Sequence, residues 1–370
     1  MDAILRALTT AAGMLYKAFW ALVFGYAVSA AIQVLVTRQQ MGRVLGERGL
    51  RQVGLAAFFG FVSSSCSFAA LAASRSVFVK GAHPANALAF LIASTNLVIE
   101  LGIVLWVLVG WKFMLANLLL GVLMVLYAYA ITRLISPRRL AESARQRAEE
   151  SLGEAQQRSD AERSSLAQLA SLDGWRRIAR AFVMEWHMVY KELLFGFTVA
   201  GFISVLVPRS FWQAIFLRGG DAPPLLVVLE NALVAPVVAF FTFIGSMGNV
   251  PLAAMLWAKG ASFGGVMTFL GADLVAATVV WVHAKYYGVR YALFLSAVLY
   301  VCMTLAGISV HYAYAALGAL PSARPAVAEM VHFEIDYTFW LNLTFAALGA
   351  FLLSLHFSDR RRRGQHAAAV

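Results

Sequence analysis

Long apolar runs alternate with short polar stretches along most of the chain. A helix needs about 20 apolar residues to cross the hydrocarbon of a bilayer. Runs near that length occupy residues 17–36, 85–109, 114–135, 192–207, 263–282, 291–310 and 337–357. Two further apolar segments, 53–79 and 225–258, are interrupted. The first is broken at Ser63-Ser64-Ser65-Cys66-Ser67, the second at Gly245-Ser246-Met247-Gly248-Asn249-Val250-Pro251. This pattern predicts an all-α polytopic membrane protein. The first run is long and has no strong basic cluster before it, so it reads as a retained span and not a signal peptide.

One stretch departs from the pattern. Residues 136–180 are rich in Glu, Gln, Arg and Ala with few aromatics, a composition that favours helix in water. The chain therefore divides into a first transmembrane repeat (1–135), a polar helical insert (136–185), a second transmembrane repeat (186–310), an extracytoplasmic loop (311–336), and a last helix with a basic tail (337–370).

The word repeat rests on three features in the same order. Each half has an interrupted apolar segment, then Lys80-Gly81-Ala82 or Lys259-Gly260-Ala261, then a span with a polar residue before Leu-Val: Asn96-Leu97-Val98 or Asp273-Leu274-Val275. Charge suggests how the halves relate. Basic loops stay in the cytoplasm. This places the insert, the arginines at 38, 43, 48 and 51, and the tail Arg360-Arg361-Arg362-Arg363 inside. All three fall on one side if both interrupted segments are re-entrant, which gives seven full spans, two re-entrant hairpins and an external N-terminus. The halves then have inverted topology, a plan common in secondary transporters.

Composition narrows the function. Hydrophobic residues make up 61% of the chain, charged residues 13%, and the net charge is +11. Mean hydropathy is +0.73. Soluble domains are about a quarter charged, so disorder and a nucleic-acid partner are excluded and the excess of Lys and Arg is topological. Two cysteines allow neither a disulfide framework nor a Cys-only zinc site. No P-loop motif appears, so no cofactor is expected and ATP is not an in-chain energy source.

Non-helical backbone inside a membrane is tolerated only where protein or a watery cavity satisfies it. Paired breaks point to a transporter's substrate site. The candidate substrate ligands are therefore Ser63, Ser64, Ser65, Cys66 and Ser67 from one break, Ser246, Met247 and Asn249 from the other, and Asn96. Acids at membrane depth are costly and by default functional, so Glu100 and Asp273 are the candidate proton-coupling residues. Soft thiolate and thioether ligands suit copper(I), which makes Cys66 with Met247 a candidate metal pair. Glu230, His83, and the Met184, His187, Met188 patch are weaker candidates, each with a plain structural explanation at an interface, loop or amphipathic helix.

Ser64-Ser65-Cys66-Ser67-Phe68-Ala69-Ala70, Lys80-Gly81-Ala82, and the run from Ala93-Ser94-Thr95-Asn96-Leu97-Val98 to Gly102 resemble bacterial permeases related to the ArsP-type organoarsenical efflux permeases, within a Ser-Thr-Asn-Leu-Val subgroup. The second half agrees at Gly248-Asn249-Val250-Pro251, Ser262-Phe263-Gly264-Gly265-Val266, Ala272-Asp273-Leu274-Val275, Tyr286-Tyr287-Gly288 and Trp340-Leu341-Asn342. The resemblance implies a multi-pass bacterial inner-membrane permease, not an enzyme, that exports metalloid or heavy-metal species. Phe68 stands where arsenic-branch relatives often carry a second cysteine. A single thiol suits a monovalent soft substrate better than a trivalent arsenical. Two alternatives stay open: a permease or channel-like pathway for a small polar or anionic solute, and a non-transporting scaffold or assembly factor. Expected partners are the transported metalloid, metal ion or solute and the membrane lipids, with a homo-oligomer left open.

Overall fold

The computed structural model describes residues 2–35, 49–63, 67–79, 81–135, 138–150, 171–217, 224–242, 246–322 and 337–367. These residues are almost all helix. In chain order the helices are α1 (Asp2–Leu35), α2 (Leu50–Ser63), α3 (Ser67–Val79), α4 (Pro84–Asn96), α5 (Ile99–Val109), α6 (Trp111–Leu134), α7 (Arg138–Glu150) and α8 (Leu172–Leu206). They continue as α9 (Arg209–Ile215), α10 (Pro224–Thr242), α11 (Ser246–Lys259), α12 (Phe263–Gly271), a 3-10 turn (Ala272–Val275), α13 (Ala277–Tyr287), α14 (Val289–Ala316) and α15 (Tyr337–Ala367). Among the described residues, six helical segments are long and apolar enough to cross a membrane, and the pair α4–α5 makes a seventh if its bent halves form one span. Large apolar side chains such as Trp106, Leu126, Trp281, Leu293 and Trp340 face outward. Such an apolar belt suits lipid and would be a liability in water.

Two apolar runs that read as straight spans are broken. α4 and α5 meet at a 41° bend. The hydroxyls of Ser94 and Thr95 donate back to the carbonyl of Leu91, at 3.1 and 3.2 Å. Such back-bonding loosens the backbone ladder and bends helices. Asn117 Nδ2 then donates to the Asn96 carbonyl at 2.7 Å, satisfying a group that the bend leaves open. The corresponding run in the second half stops at Gly271, passes through the 3-10 turn that contains Asp273, and resumes at Ala277. The helix preceding the second-half elements also starts earlier than its apolar run: α8 begins at Leu172, inside the polar stretch, with the Ser171 hydroxyl accepting from the Gly174 amide as its N-cap.

The turns recur in the two halves. Gly81 has φ +99° and Gly260 has φ +115°, a region where a Cβ would clash and glycine is the default. In each turn the following alanine amide reaches five residues back, Ala82 to Val77 and Ala261 to Leu256, which closes the helix end in a Schellman manner. The next helix is then capped, by His83 Nδ1 in α4 and by the Ser262 hydroxyl in α12. His83 is thereby accounted for as a cap. Further on, Gly110 and Gly288, again at positive φ, join α5 to α6 and α13 to α14.

α1 packs against α8, and α6 against α14, in opposite directions. Tyr26 of α1 meets Trp186 of α8 at 5.5 Å between ring centroids, while Gly201 of α8 lies against Ala7 and Ala11 of α1. Tyr127 of α6 bonds Ser309 of α14 at 2.8 Å, while the Tyr314 hydroxyl donates to the Lys112 carbonyl at 3.1 Å. Both pairs are antiparallel. Close approach depends on glycine, as expected where lipid gives no hydrophobic drive between helices. A Cβ on Gly25 would lie 2.7 Å from the Glu100 Cα, and one on Gly196 would lie 2.8 Å from the Gly248 Cα.

The helix that opens the insert is not a free solvent helix. α7 lies across one end of the bundle with Ala144 and Ala148 buried beneath it. Arg75 of α3, itself buried, donates to the Ala148 carbonyl from Nη2 at 2.8 Å and from Nε at 3.3 Å. Its guanidinium also sits 4.3 Å from the Tyr286 ring centre of α13. In return Arg145 of α7 donates to the Ala82 carbonyl at 2.8 Å and covers Phe78. A cation at the C-terminal carbonyls of a helix is favoured by the helix dipole. Arg75 thus ties α7, α3 and α13 together. We expect Arg75→Met to raise amide hydrogen exchange across 138–150 severalfold with little change in α14, and Arg75→Lys to do so less; mass-spectrometric exchange in detergent checks both.

Candidate functional site

The two interrupted segments meet in the middle of the bundle. Ser67 is the first residue of α3 and Ser246 the first of α11. Their hydroxyl oxygens are 2.9 Å apart. Both also contact Asp273 of the second broken span: Ser246 Oγ is 2.5 Å and Ser67 Oγ 3.1 Å from Asp273 Oδ2. All three residues are buried. Each of these helices therefore presents a hydroxyl at its start, and the 3-10 turn sets the carboxyl against both.

Asn249 follows Ser246 by one turn on α11. Its side chain is wholly buried and neither amide atom has a hydrogen-bond partner. Asp273 Oδ1 is also without one. A buried polar group left unpaired costs of order 1–3 kcal/mol, so these atoms mark a place fitted for something polar. The arrangement offers hydroxyl, carboxyl and amide groups held on rigid helix ends, a set that binds by hydrogen bonds and can carry a proton.

The other expected site residues divide. Ser64, Ser65 and Cys66 lie outside the described residues, as does the side chain of Met247. Ser63 ends α2, partly buried. Asn96 is buried but turns back on its own helix, its Nδ2 donating to Thr95 Oγ1 at 3.0 Å and to the Ile92 carbonyl at 3.4 Å. Glu100 is buried in the first turn of α5, against Gly25 of α1. Glu230 accepts from the Leu217 amide at 3.0 Å and from Asn231 Nδ2 at 2.6 Å, and so tethers the chain before α10. His187 lines an apolar lateral groove of about 600 Å³ between α1, α8 and α15, with Phe19, Trp186 and Tyr190. Among the described residues no three His, Cys, Asp or Glu side chains gather as a metal site.

Two further buried residues went unremarked in the sequence. Arg75 is a lone cation in an apolar segment, and its position alone is a signal, because such charges are rarely idle. His283 is buried on α13 with both ring nitrogens unpartnered and its ring 5.8 Å from Tyr287.

Aromatic side chains pack into a plug at each end of the bundle. Near α7, Phe78 of α3 stacks on Tyr291 of α14 at 5.9 Å. At the opposite end, Trp257 of α11 meets Phe113 of α6 at 5.3 Å, with Phe263 5.1 Å from Phe113. Each plug joins the interrupted segment of one half to the last span of the other.

Comparison with known proteins identifies a permease family. Residues 3–312 match the family ArsP_1, described as a predicted permease. The chain is 39% identical over 326 residues to the putative permease Rv2963 of Mycobacterium tuberculosis, covering 86% of this chain and 80% of that protein. No solved structure matches.

Proposed function

Because the chain belongs to the ArsP_1 family of predicted permeases, we propose that it is a secondary transporter built from two inverted halves, working by alternating access around Ser67, Ser246 and Asp273. It is a multi-pass permease of the bacterial inner membrane. The observation that carries the finer reading is the Ser67–Ser246 contact. These residues are 179 positions apart, and so are Gly81 and Gly260, which hold the matching turns. Equivalent residues that touch each other mark a local two-fold axis. Phe78 and Trp257 share the same interval, and their plugs lie at opposite ends. An operation that exchanges halves and ends together is an axis in the membrane plane. The antiparallel packing of α1 with α8 and of α6 with α14 supports the same operation.

On this reading α2–α3 and α10–α11 are re-entrant hairpins. The second opens away from α7, since Lys259 at its base donates to the Ser204 and Val207 carbonyls at the end of α8. The end bearing α7, with arginines at 138, 139, 145 and 147 and the tail arginines from 360 to 363, is cytoplasmic by the positive-inside rule. The aromatic plugs are the two gates, and both are shut here. Asp273 couples transport to protons, while Ser67, Ser246 and Asn249 face the substrate.

The substrate class is a metalloid or heavy-metal species, exported. Support comes from the sequence: Cys66 immediately precedes Ser67, which places a thiol one residue from the cluster. A second reading, a small polar solute, draws on the oxygen and amide groups that dominate the described site. Growth of cells with and without the gene, challenged with arsenicals, antimonials and copper, separates them. The expected result is resistance that Cys66→Ser removes while protein levels hold. Resistance unchanged in that variant would defeat the thiol's role and leave the polar-solute reading.

A further inference from the structure

Three oxygens form a closed triangle at the centre of the protein. Its sides are 2.5 Å from Ser246 Oγ to Asp273 Oδ2, 3.1 Å from Ser67 Oγ to Asp273 Oδ2, and 2.9 Å from Ser67 Oγ to Ser246 Oγ. The 2.9 and 3.1 Å sides are ordinary O–H···O distances or slightly longer, and the 2.5 Å side is shorter than an ordinary one. A hydrogen bond needs one proton per contact. Each serine hydroxyl carries one, and an ionised carboxylate carries none. If both hydroxyls donate to the carboxylate, their protons are used and the 2.9 Å contact faces two lone pairs. Three contacts on two protons do not close.

We propose that the missing proton is on Asp273, so that the triangle is a proton-binding site, loaded in this conformation. The acid proton lies on the short 2.5 Å side, donated from Asp273 Oδ2 to Ser246 Oγ. The Ser246 hydroxyl donates to Ser67, and the Ser67 hydroxyl returns to Asp273 Oδ2. Every oxygen then gives one proton and receives one. A neutral ring of this kind also suits its place, since all three residues are buried and no cationic side chain bonds any of them among the described hydrogen bonds.

The ring is built once per chain. The two serines are equivalent in the two halves, but the carboxyl is not. At the 179-residue interval that relates the two serines, Asp273 is matched by Ser94, whose hydroxyl donates to the Leu91 carbonyl on its own helix. One such ring per molecule follows. The inference deepens the proposed coupling role of Asp273 and rests on it only for the meaning of the proton, not for its presence.

Infrared difference spectroscopy of the purified protein at neutral pH, in sodium-free buffer, tests the site without any transport step. A protonated-carboxyl C=O band present in the wild type and missing in Asp273→Asn is the expected result. Ser67→Ala and Ser246→Ala should each shift that band, because each removes one side of the ring, and sodium chloride should leave it in place. Absence of such a band would overturn the proposal. So would its loss on adding sodium, which would make a bound cation the third partner. A band present in a protein whose transport ignores the proton gradient would leave the site standing and remove the coupling role.

Discussion

Asp273→Asn is expected to abolish gradient-driven transport while the protein still folds. Asparagine keeps the volume of the side chain, and its amide can still bond Ser67 and Ser246, which now contact the carboxyl at 3.1 and 2.5 Å. What it cannot do is gain and lose a proton at that point. Transport into or out of proteoliposomes should therefore fall to the level seen without a pH gradient, and any residual flux should no longer respond to an ionophore. Full gradient dependence in the variant would place the coupling group elsewhere, with Glu100 the next buried acid to examine.

Gly25→Ala should give the largest loss of stability from the smallest change. Its Cβ would meet the Glu100 Cα at 2.7 Å, and neither belongs to a flexible side chain that could swing aside. α1 and α5 would have to separate, and overpacking of this sort costs about 1–3 kcal/mol. A lowered thermal midpoint in detergent, with early aggregation on size exclusion, is the expected readout. Gly54→Ala serves as the control, because nothing lies within 4 Å of a Cβ there. Equal behaviour of the two variants would contradict the packing of α1 on α5.

Much of this organisation was legible in the residues. The two interruptions stood out because serine, glycine and asparagine break an otherwise apolar run, and the Lys-Gly-Ala turns recur because both need a positive φ at the same point. The bend at Asn96 and the 3-10 interruption at Asp273 were not legible. Hydropathy stays high through both, and the cause lies in hydroxyls folding back on carbonyls and in a 3-10 turn. Nor could spacing alone bring Ser67, Ser246 and Asp273 together, although contact between equivalent serines is what a two-fold axis through both breaks would produce. α7 misled for a different reason. Its charged residues read as a solvated helix, while the two alanines that fix it, Ala144 and Ala148, carry no such signal.

The lysine of the second turn has a consequence for how the chain enters the bilayer. On the proposed inverted topology the two near-identical turns end on opposite faces, yet each carries a lysine that pulls toward the cytoplasm. Lys259 is withdrawn from that contest once the fold forms, because its ammonium group is spent on the Ser204 and Val207 carbonyls at 2.9 and 3.0 Å. Before α8 is in place, nothing screens it. The second hairpin should therefore be oriented by a helix already inserted and not by its own charge. Weakening the end of α8 would then show as mis-threaded chains during biogenesis, even where the finished protein tolerates the change.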